Sequence, residues 1–384
     1  MKLLHLGDLH LGKSLGDFDL IDDQKYILEQ IVRLVQTESV DAVLVAGDVY
    51  DKSIPSEAAT GLLDWFLREL SSLNVKTFVI SGNHDSDERL NFGSSLFESN
   101  SIYISAKFDG TLYKKTVSDD IGDVDIYLLP FVKASQVKHF YPDEDINGYE
   151  DAVRLVIDKA NIDSNRRNVI VAHQFVAGNE DPILSGSEGP SVKSVGLVER
   201  IGYKCFDAFD YVALGHIHGP QRVGRKEVRY SGSPLKYSLS EANSDKSVPI
   251  ITLGEKGKVD IKLVPLKPWR DLRHIKGEMK VLLDKNNIES PNDFIYVTLT
   301  DEDFVDNAMG IFQKTYPNTI KIDYDNSHSK ELEHVDITNI TENKSFEDII
   351  IDFYKSMYGT DINDEELKVI KEVAKEAGVI DEAD

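Results

Sequence analysis

Five short runs of apolar residues in this chain each end at a residue that can bind a metal ion. They lie in the segments KLLHLGDLH, AVLVAGDVYD, TFVISGNHDS, NVIVAHQF and YVALGHIHG. Each run is rich in Val, Ile and Leu, which is typical of a buried β-strand. Ligands bind at the carboxyl ends of strands in open α/β sheets, so we expect the polar residues to meet at one edge.

Helical patterns follow two of these runs. Apolar residues recur at helical spacing in two sets: Ile27, Leu28, Ile31, Leu34 and Val35, and, after Pro55, Leu62, Leu63, Phe66 and Leu70. Strands and helices therefore alternate up to about residue 240, which predicts an α/β domain. From residue 225 onward, strand-like segments on both sides of Gly254 to Gly257 predict a hairpin and an antiparallel sheet edge.

The chain is predicted to contain three segments, residues 1–268, 269–340 and 341–384. The sequence KPWR at 267–270 contains a proline and is interpreted as a linker. A strand, a helix and a strand are predicted in the middle segment. The last segment predicts two amphipathic helices with N-caps at Ser345 and Asn363 and a stop at Gly378. Their apolar faces are formed by Phe346, Ile349, Ile350, Phe353 and Met357, and by Leu367, Ile370, Val373, Ala374 and Ala377.

Composition limits the chemistry and the partners. The formal net charge is -24, which argues against strong binding to a polyanion by the chain alone. Cys205 is the single cysteine, so any metal must be held by oxygen and nitrogen atoms. The start of the chain lacks the layout of a secretory signal, and no apolar stretch approaches membrane-spanning length. We therefore expect a cytoplasmic protein without a membrane segment.

The residues at the predicted strand ends suit two divalent cations. They are Asp8, His10, Asp48, Asn83, His173, His216 and His218. Asp8 and His10 can bind one ion together, and the two oxygens of Asp48 can bridge two ions. Mixed nitrogen and oxygen ligands are compatible with manganese, iron or zinc. A pair of such ions is well suited to the hydrolysis of phosphate esters.

Two further residues are candidates for catalysis. His84 is adjacent to Asn83, so it is expected to face away from the same ion and to act as an acid or charge stabiliser. Asp51 lies three residues after Asp48 and is predicted to accept the second ring proton of His84. This hydrogen bond would fix the orientation of the His84 ring.

The motifs D-x-H, GD, GNHD, an isolated His and GHIH occur in the order of the calcineurin-like metallophosphoesterase superfamily. The chain resembles that superfamily over most of residues 1–240. The resemblance implies a two-sheet β-sandwich flanked by helices, a small α/β capping domain and a C-terminal helical pair. Within the superfamily, MKLLHLGDLHLGKSL, AGDVYD, SGNHD and ALGHIHGPQ with YSGSP are similar to nuclease subunits that act with an SbcC-like ATPase.

This resemblance implies a function and roles for the candidate residues. One Mn²⁺ ion would be held by Asp8, His10, Asp48 and His218, and a second by Asp48, Asn83, His173 and His216. His84 would be the catalytic histidine. The implied activity is exonuclease and endonuclease cleavage of DNA ends or hairpins in DNA repair and recombination. Residues 341–384 would dock the SbcC-like ATPase, with a homodimer of this chain inside a heterotetramer.

Two other functions are compatible with parts of the sequence. A phosphatase or cyclic-nucleotide phosphodiesterase would explain the metal site and the acidic charge but leaves the tail without a role. Protein phosphatases of the superfamily carry GD-x-x-DRG and GNHE, whereas here Asp51 is followed by Lys52 and Asn83 by His84 and Asp85. An inactive interaction subunit would be expected to have lost ligands, and no ligand is missing.

Overall fold

The computed structural model describes residues 1–186, 200–327, 350–351, 354 and 362–376. The chain divides into two compact units, Met1–Arg273 and His274–Asp384. The predicted boundaries at residues 268/269 and 340/341 remain predictions. Among the described residues, no helix has the length and apolar character needed to cross a membrane.

The first unit contains most of the secondary structure. Its strands are β1 Lys2–Leu6, β2 Ser14–Leu15, β3 Phe18–Asp19, β4 Ala42–Ala46, β5 Lys76–Ile80, β6 Ile102–Ser105, β7 Tyr113–Asp119, β8 Gly122–Leu129, β9 Arg167–Ala172, β10 Val176–Ala177, β11 Ile201–Gly202, β12 Tyr211–Leu214, β13 Gln221–Val223, β14 Arg225–Tyr230, β15 Ser247–Leu253 and β16 Val259–Pro265. Its helices are α1 Ile21–Thr37, α2 Glu57–Ser72, α3 Asp87–Leu90, α4 Ser94–Phe97, α5 Ala134–Phe140 and α6 Tyr149–Lys159. The five apolar runs and the two periodic segments are thus strands and helices, as predicted.

Two six-stranded mixed sheets form the frame of this unit. The first has the order β16-β15-β1-β4-β5-β6 and the second the order β13-β14-β12-β9-β8-β7. The inner strands of both are parallel, and β15 pairs antiparallel with β1 and with β16. The predicted hairpin and antiparallel edge are therefore confirmed, and they belong to the first sheet.

Apolar side chains from both sheets share one core. Leu3, Leu44 and Phe78 of the first sheet pack with Val169 and Ala213 of the second, and all five are fully buried. A second core lies on the other face of the second sheet and includes residues of α6. Strands buried on both faces need apolar residues at successive positions, which is why β4 reads AVLVA without alternation. The predicted two-sheet sandwich flanked by helices is confirmed.

The second unit contains most of a small sheet of the order β17-β18-β19, where β17 is Leu272–Gly277, β18 Phe294–Leu299 and β19 Thr319–Tyr324. Its helices are α7 Met279–Leu282, α8 Ala308–Phe312 and α9 Asp364–Glu376. The predicted strand, helix and strand correspond to β18, α8 and β19. Strand β17 was not predicted; it begins at Leu272, two residues after the segment interpreted as a linker.

The last part of the chain is only partly described. Helix α9 is the second predicted tail helix, and its N-cap is Asn363, whose Oδ1 accepts a hydrogen bond of 2.9 Å from the backbone N–H of Glu366. Of the first predicted tail helix, residues 350, 351 and 354 are described, and they are helical. The predicted cap Ser345 and stop Gly378 lie outside the described residues.

Candidate metal centre

The polar residues that follow the five apolar runs meet at one edge of the sandwich. Strands β1, β4 and β5 bring Asp8, Asp48 and Asn83 from the first sheet, and β9 and β12 bring His173 and His216 from the second. The parallel strands of each sheet end on the same side, so their carboxyl ends share this edge. The structure brings these residues together at one edge, as predicted.

Buried acidic and histidine side chains form two overlapping groups. The first contains Asp8, His10 and His218, and the second contains Asp8, Asp48 and His173. Within each group, one ligand atom from every residue lies within 4.8 Å of the others. Asp8 belongs to both groups, so the two possible metal positions adjoin.

Short distances connect the rest of the site. His10 Nε2 lies 3.1 Å from His218 Nε2 and 3.6 Å from Asp48 Oδ2. His173 is a second neighbour of Asp48, and its Nε2 lies 3.3 Å from the same Oδ2 atom. Asp48 therefore stands between histidines of the two sheets, as expected for a carboxylate that bridges two ions.

Asn83 occupies the open side of the site. Its Oδ1 is 3.1 Å from His173 Nε2 and 2.9 Å from His216 Nδ1. The residue is exposed, whereas both histidines are buried. The site is therefore open to solvent on the side of Asn83.

Main-chain contacts fix the orientation of two ligands. The Nδ1 of His173 lies 2.7 Å from the carbonyl oxygen of Ala46, so Nδ1 carries the proton and Nε2 faces Asp48. The Oδ1 of Asp8 accepts a hydrogen bond of 2.7 Å from the backbone N–H of His216. Both contacts join the first sheet to the second, so the site also ties the two sheets together.

Two buried polar atoms test whether a cation fits this site. The Oδ2 of Asp8 and the Nε2 of His216 are buried and have no hydrogen-bond partner among the described residues. Leaving such atoms without partners is costly, and a bound cation would satisfy both lone pairs. The donor set of carboxylate, amide and imidazole groups also suits a transition metal.

The electrostatics of the site favour added positive charge. Burial raises the pKa of Asp8. Burial lowers the pKa of His173, but the negative charge of Asp48 and its hydrogen bond outweigh this effect and raise the pKa to about 9. Burial and the neighbouring His173 lower the pKa of His216 to about 3, so its ring is neutral. A divalent cation would have to displace the proton of His173, so metal binding is expected to weaken as the pH falls.

Four of these residues have an unusual backbone conformation. The φ angles of Asp8, His10, Asp48 and His216 are 53°, 44°, 47° and 94°. Left-handed conformations are uncommon for residues other than glycine, although Asp, Asn and His adopt them more readily than most. Strained backbone of this kind clusters at functional sites, where surrounding contacts hold it. No pattern in the sequence indicates this feature.

Two glycines next to the ligands are required by close packing. A Cβ atom on Gly82 would lie 2.1 Å from Oδ1 of Asp48, and one on Gly215 would lie 1.9 Å from the carbonyl oxygen of Ala46. Non-bonded contacts of a Cβ atom shorter than 3.0 Å essentially never occur. These positions therefore accept glycine alone, because the chain passes directly against the metal-binding side chains.

The structure corrects the predicted contact between Asp51 and His84. The Nδ1 of His84 lies 3.2 Å from the main-chain carbonyl of Asp51, and not against its carboxylate. The carboxylate accepts a hydrogen bond of 2.7 Å from Lys13 and lies 3.6 Å from Nδ1 of His10. The prediction was wrong in this detail, because the carboxylate of Asp51 is directed towards Lys13 and His10. The half-buried His84 ring packs edge-on against His10.

One positioning residue was missed. The buried carboxylate of Asp85 accepts hydrogen bonds from the backbone N–H groups of Val49, Tyr50 and Gly82, at 3.0, 2.8 and 2.9 Å. Burial and the neighbouring Asp48 raise its pKa to about 6. Asp85 holds the loop of Asp48 against the loop of Asn83. The last letter of GNHD was the available signal, but no spacing rule assigns it this contact.

Comparison with known protein families agrees with this geometry. The calcineurin-like phosphoesterase model matches residues 1–220, and the model described as Type 5 capsule protein repressor C-terminal domain matches residues 268–358. A dimetal phosphatase from Danio rerio aligns with 70% of this chain and 99% of its own at 11% identity, with a TM-score of 0.37. The protein TT1561 of Thermus thermophilus aligns with 68% of this chain and 98% of its own at 12% identity, with a TM-score of 0.36. The first family match spans most of the sandwich and more than half of the chain. The chain is therefore a calcineurin-like phosphoesterase.

A curated relative narrows the family further. The chain is 34% identical over 366 residues to the SbcD subunit of the nuclease SbcCD from Staphylococcus epidermidis. The alignment covers 93% of this chain and 93% of that protein. The chain therefore belongs to the SbcD family of nuclease subunits. It is a phosphoesterase with buried Asp and His metal-binding groups, as predicted.

Proposed function

We propose that this chain is the nuclease subunit of an SbcC–SbcD-type complex and cleaves phosphodiester bonds of DNA with two divalent cations. The observation that carries the proposal is the convergence of Asp8, Asp48 and His173 with His10 and His218 at one buried edge. Membership of the SbcD family supports DNA as the substrate. The phosphatase alternative explains the metal groups equally well, but it gives no role to the second unit.

We assign the ligands to two Mn²⁺ ions. Asp8, His10, Asp48 and His218 would hold one ion, and Asp48, Asn83, His173 and His216 the other. When bound, two divalent ions supply an activated water and neutralise the charge that develops on the phosphate. The short distances from Asp48 to both His10 and His173 support its role as the shared ligand.

The catalytic role is assigned to His84. Its backbone N–H donates a hydrogen bond of 2.9 Å to Asp48 Oδ1, and the carbonyl of Asp51 orients its ring. With Nδ1 engaged, Nε2 is the atom that can transfer a proton to the leaving oxygen or stabilise its charge. Asp51 would act less directly, through its carboxylate beside Lys13 and His10.

His84→Ala is expected to bind both ions as the natural chain does but to lose roughly 100- to 10,000-fold in the cleavage rate, which is the usual contribution of a general acid or base. Manganese-dependent cleavage of linear DNA, with metal content measured in parallel, checks this. A generic phosphodiester and a phosphomonoester serve as comparison substrates. Hydrolysis of the monoester without cleavage of DNA would favour the phosphatase alternative.

The acidic charge of the chain bears on its partner. A chain with a net charge of -24 is expected to bind DNA weakly by itself, and an SbcC-like ATPase could supply most of the DNA contacts. We propose residues 341–384 as the docking segment. In support, Val369 and Val373 lie one helical turn apart on α9 and are exposed. An exposed apolar stripe on a helix suits a helical partner.

Deletion of residues 341–384 is expected to abolish co-purification with the SbcC-like ATPase while the shortened chain still binds two Mn²⁺ ions. The metal-binding groups all belong to the first unit, so they do not depend on the tail. The full-length double variant Val369→Asp with Val373→Asp tests the same surface without truncation. A shortened chain that still captures the ATPase would contradict the docking role.

We also propose that two copies of this chain associate through the surface around α3 and α4. Phe92 and Leu96 are 84% and 75% exposed, and Phe97 borders a groove of about 650 Å³ beside α2. Exposed apolar residues that cluster beside a groove mark an interaction site. This surface supports a homodimer inside a heterotetramer with the ATPase.

Leu96→Asp is expected to convert a dimer into a monomer, because a charge would be buried in the proposed interface. Light scattering coupled to size-exclusion chromatography measures the mass directly. Ile121→Asp is the matched control, since Ile121 is an exposed apolar residue in the turn between β7 and β8. An unchanged mass for both variants would contradict this interface.

A further inference from the structure

Residues that lie outside both matched family segments surround one of the metal-binding histidines. The calcineurin-like match ends at residue 220 and the C-terminal match begins at residue 268. The intervening segment folds back against His218 and contributes Ser233, Tyr237, Glu241 and Lys246, all buried. No catalytic or metal-binding role was predicted for these residues.

Lys246 connects this segment to the main chain of the metal ligand. Its ammonium group donates hydrogen bonds of 3.0 Å to the carbonyl oxygen of His218 and 2.9 Å to the hydroxyl of Ser233. It also forms an ion pair with Glu241. A buried ammonium group needs such partners, so the pair keeps both charges in a fixed place.

Glu241 brings a negative charge to the outer edge of the His218 ring. The residue is only 1% exposed, and its Oε1 lies 3.7 Å from His218 Nδ1. That oxygen also accepts a hydrogen bond of 3.2 Å from the backbone N–H of Tyr237. The opposite ring nitrogen, Nε2, faces the metal-binding group and lies 3.1 Å from His10 Nε2.

A neutral imidazole ring carries one proton, and its position decides which nitrogen can bind a metal. A fixed negative charge beside Nδ1 favours the proton on Nδ1 and leaves the lone pair on Nε2. The electrostatic preference is already effective at 3.7 Å in a buried site, where it does not require an ideal hydrogen-bond geometry. Glu241 thus favours the form of His218 that a cation requires.

We propose that Glu241, held by Lys246, is a positioning residue that keeps His218 in the metal-binding tautomer and orientation. The inference rests on the proposed two-ion function. It predicts that the charge of Glu241 affects one ion more than the other, because His218 is a ligand of one ion alone. A purely structural ion pair would affect folding without this selectivity.

The test is a titration of the metal-free full chain with Mn²⁺. Electron paramagnetic resonance measures the free ion at each step. Glu241→Gln keeps the size of the side chain and removes its charge. The expected result is roughly 10- to 100-fold weaker binding of one ion with little change in the other, the usual effect of losing such a partner. Since Glu241→Gln removes the negative charge that balances Lys246, the double variant Glu241→Gln with Lys246→Met removes both charges and is expected to show the same selective loss.

Nuclear magnetic resonance of the ring nitrogens gives a second readout that needs no metal. Long-range ¹H–¹⁵N spectra distinguish a proton on Nδ1 from one on Nε2. The expected result is an Nδ1-protonated His218 in the natural chain and a population shift towards Nε2 in Glu241→Gln. An unchanged tautomer together with unchanged binding of both ions would overturn the proposal.

Asp210→Asn is the matched control. Asp210 is also a buried carboxylate in an ion pair, with Lys256, and it accepts hydrogen bonds from the backbone N–H groups of Asn168 and Gly257. This variant is expected to lower stability and leave both Mn²⁺ affinities unchanged. Equal weakening of both ions in Glu241→Gln and Asp210→Asn would overturn the positioning role. If the natural chain binds no Mn²⁺, the two-ion function fails and this inference falls with it.

Discussion

Asp48→Ala is expected to remove Mn²⁺ from both positions and to lower the cleavage rate by roughly 1000-fold or more, a larger loss than that of a single stabilising donor. The physical reason is that one carboxylate serves several neighbours. Its Oδ2 lies near His10 and His173, and its Oδ1 accepts the backbone N–H of His84. Metal content per chain and the rate of DNA cleavage at saturating Mn²⁺ measure the two effects.

The control for this substitution is Asp120→Ala, which removes an exposed carboxylate in the turn between β7 and β8. It is expected to leave metal content and cleavage unchanged. Retention of two Mn²⁺ ions by Asp48→Ala would contradict the bridging role. Loss of one ion with full retention of the other would assign Asp48 to a single ion instead.

Gly215→Ala is expected to destabilise the metal-free chain by about 3 kcal/mol, the upper part of the usual range for overpacking in a core. The added Cβ would lie 1.9 Å from the carbonyl oxygen of Ala46 and 2.8 Å from Nδ1 of His173. These two atoms form the hydrogen bond that orients His173, and the carbonyl belongs to a buried strand that cannot move aside. Metal affinity is therefore expected to fall together with stability.

Denaturant unfolding of the metal-free chain measures the free-energy change, and Mn²⁺ titration measures the affinity. Gly61→Ala is the matched control, because Gly61 lies inside α2 and a Cβ there meets no atom within 4 Å. It is expected to stabilise the chain by up to about 1 kcal/mol through helix propensity. A Gly215→Ala chain as stable as the natural one would show that the two sheets can separate without cost.

Short-range patterns predict the strands, the helices and the strand-end positions of the candidate residues, whereas the two-sheet sandwich is implied by the resemblance to the superfamily. A buried parallel strand must be apolar at successive positions, and β4 and β9 meet this rule over most of their lengths. The polar residue after each strand then marks the sheet edge. This rule alone places Asp8 and His173 at the carboxyl ends of their strands, where ligands bind.

Other features depend on contacts between residues far apart in the chain. The side chain of Asp51 turns towards Lys13, which is 38 positions away, and no local pattern encodes this choice. Glu241 and Lys246 approach His218 only because the chain returns to the site after β14. Strand β17 was missed because its pairing partner β18 lies beyond an intervening helix. In each case, a contact between distant parts of the chain determines the local structure.

The left-handed backbone at Asp8, His10, Asp48 and His216 restricts how this centre could be re-engineered for another cation. A new ligand residue must tolerate a positive φ angle as well as supply a suitable donor atom. Asp, Asn and His tolerate positive φ better than most residues, so interchange among these three is the accessible route. A switch to Glu or Cys would present a suitable donor atom on a main chain that disfavours the new residue. We therefore expect the metal preference of such a site to evolve through exchanges among a few residue types.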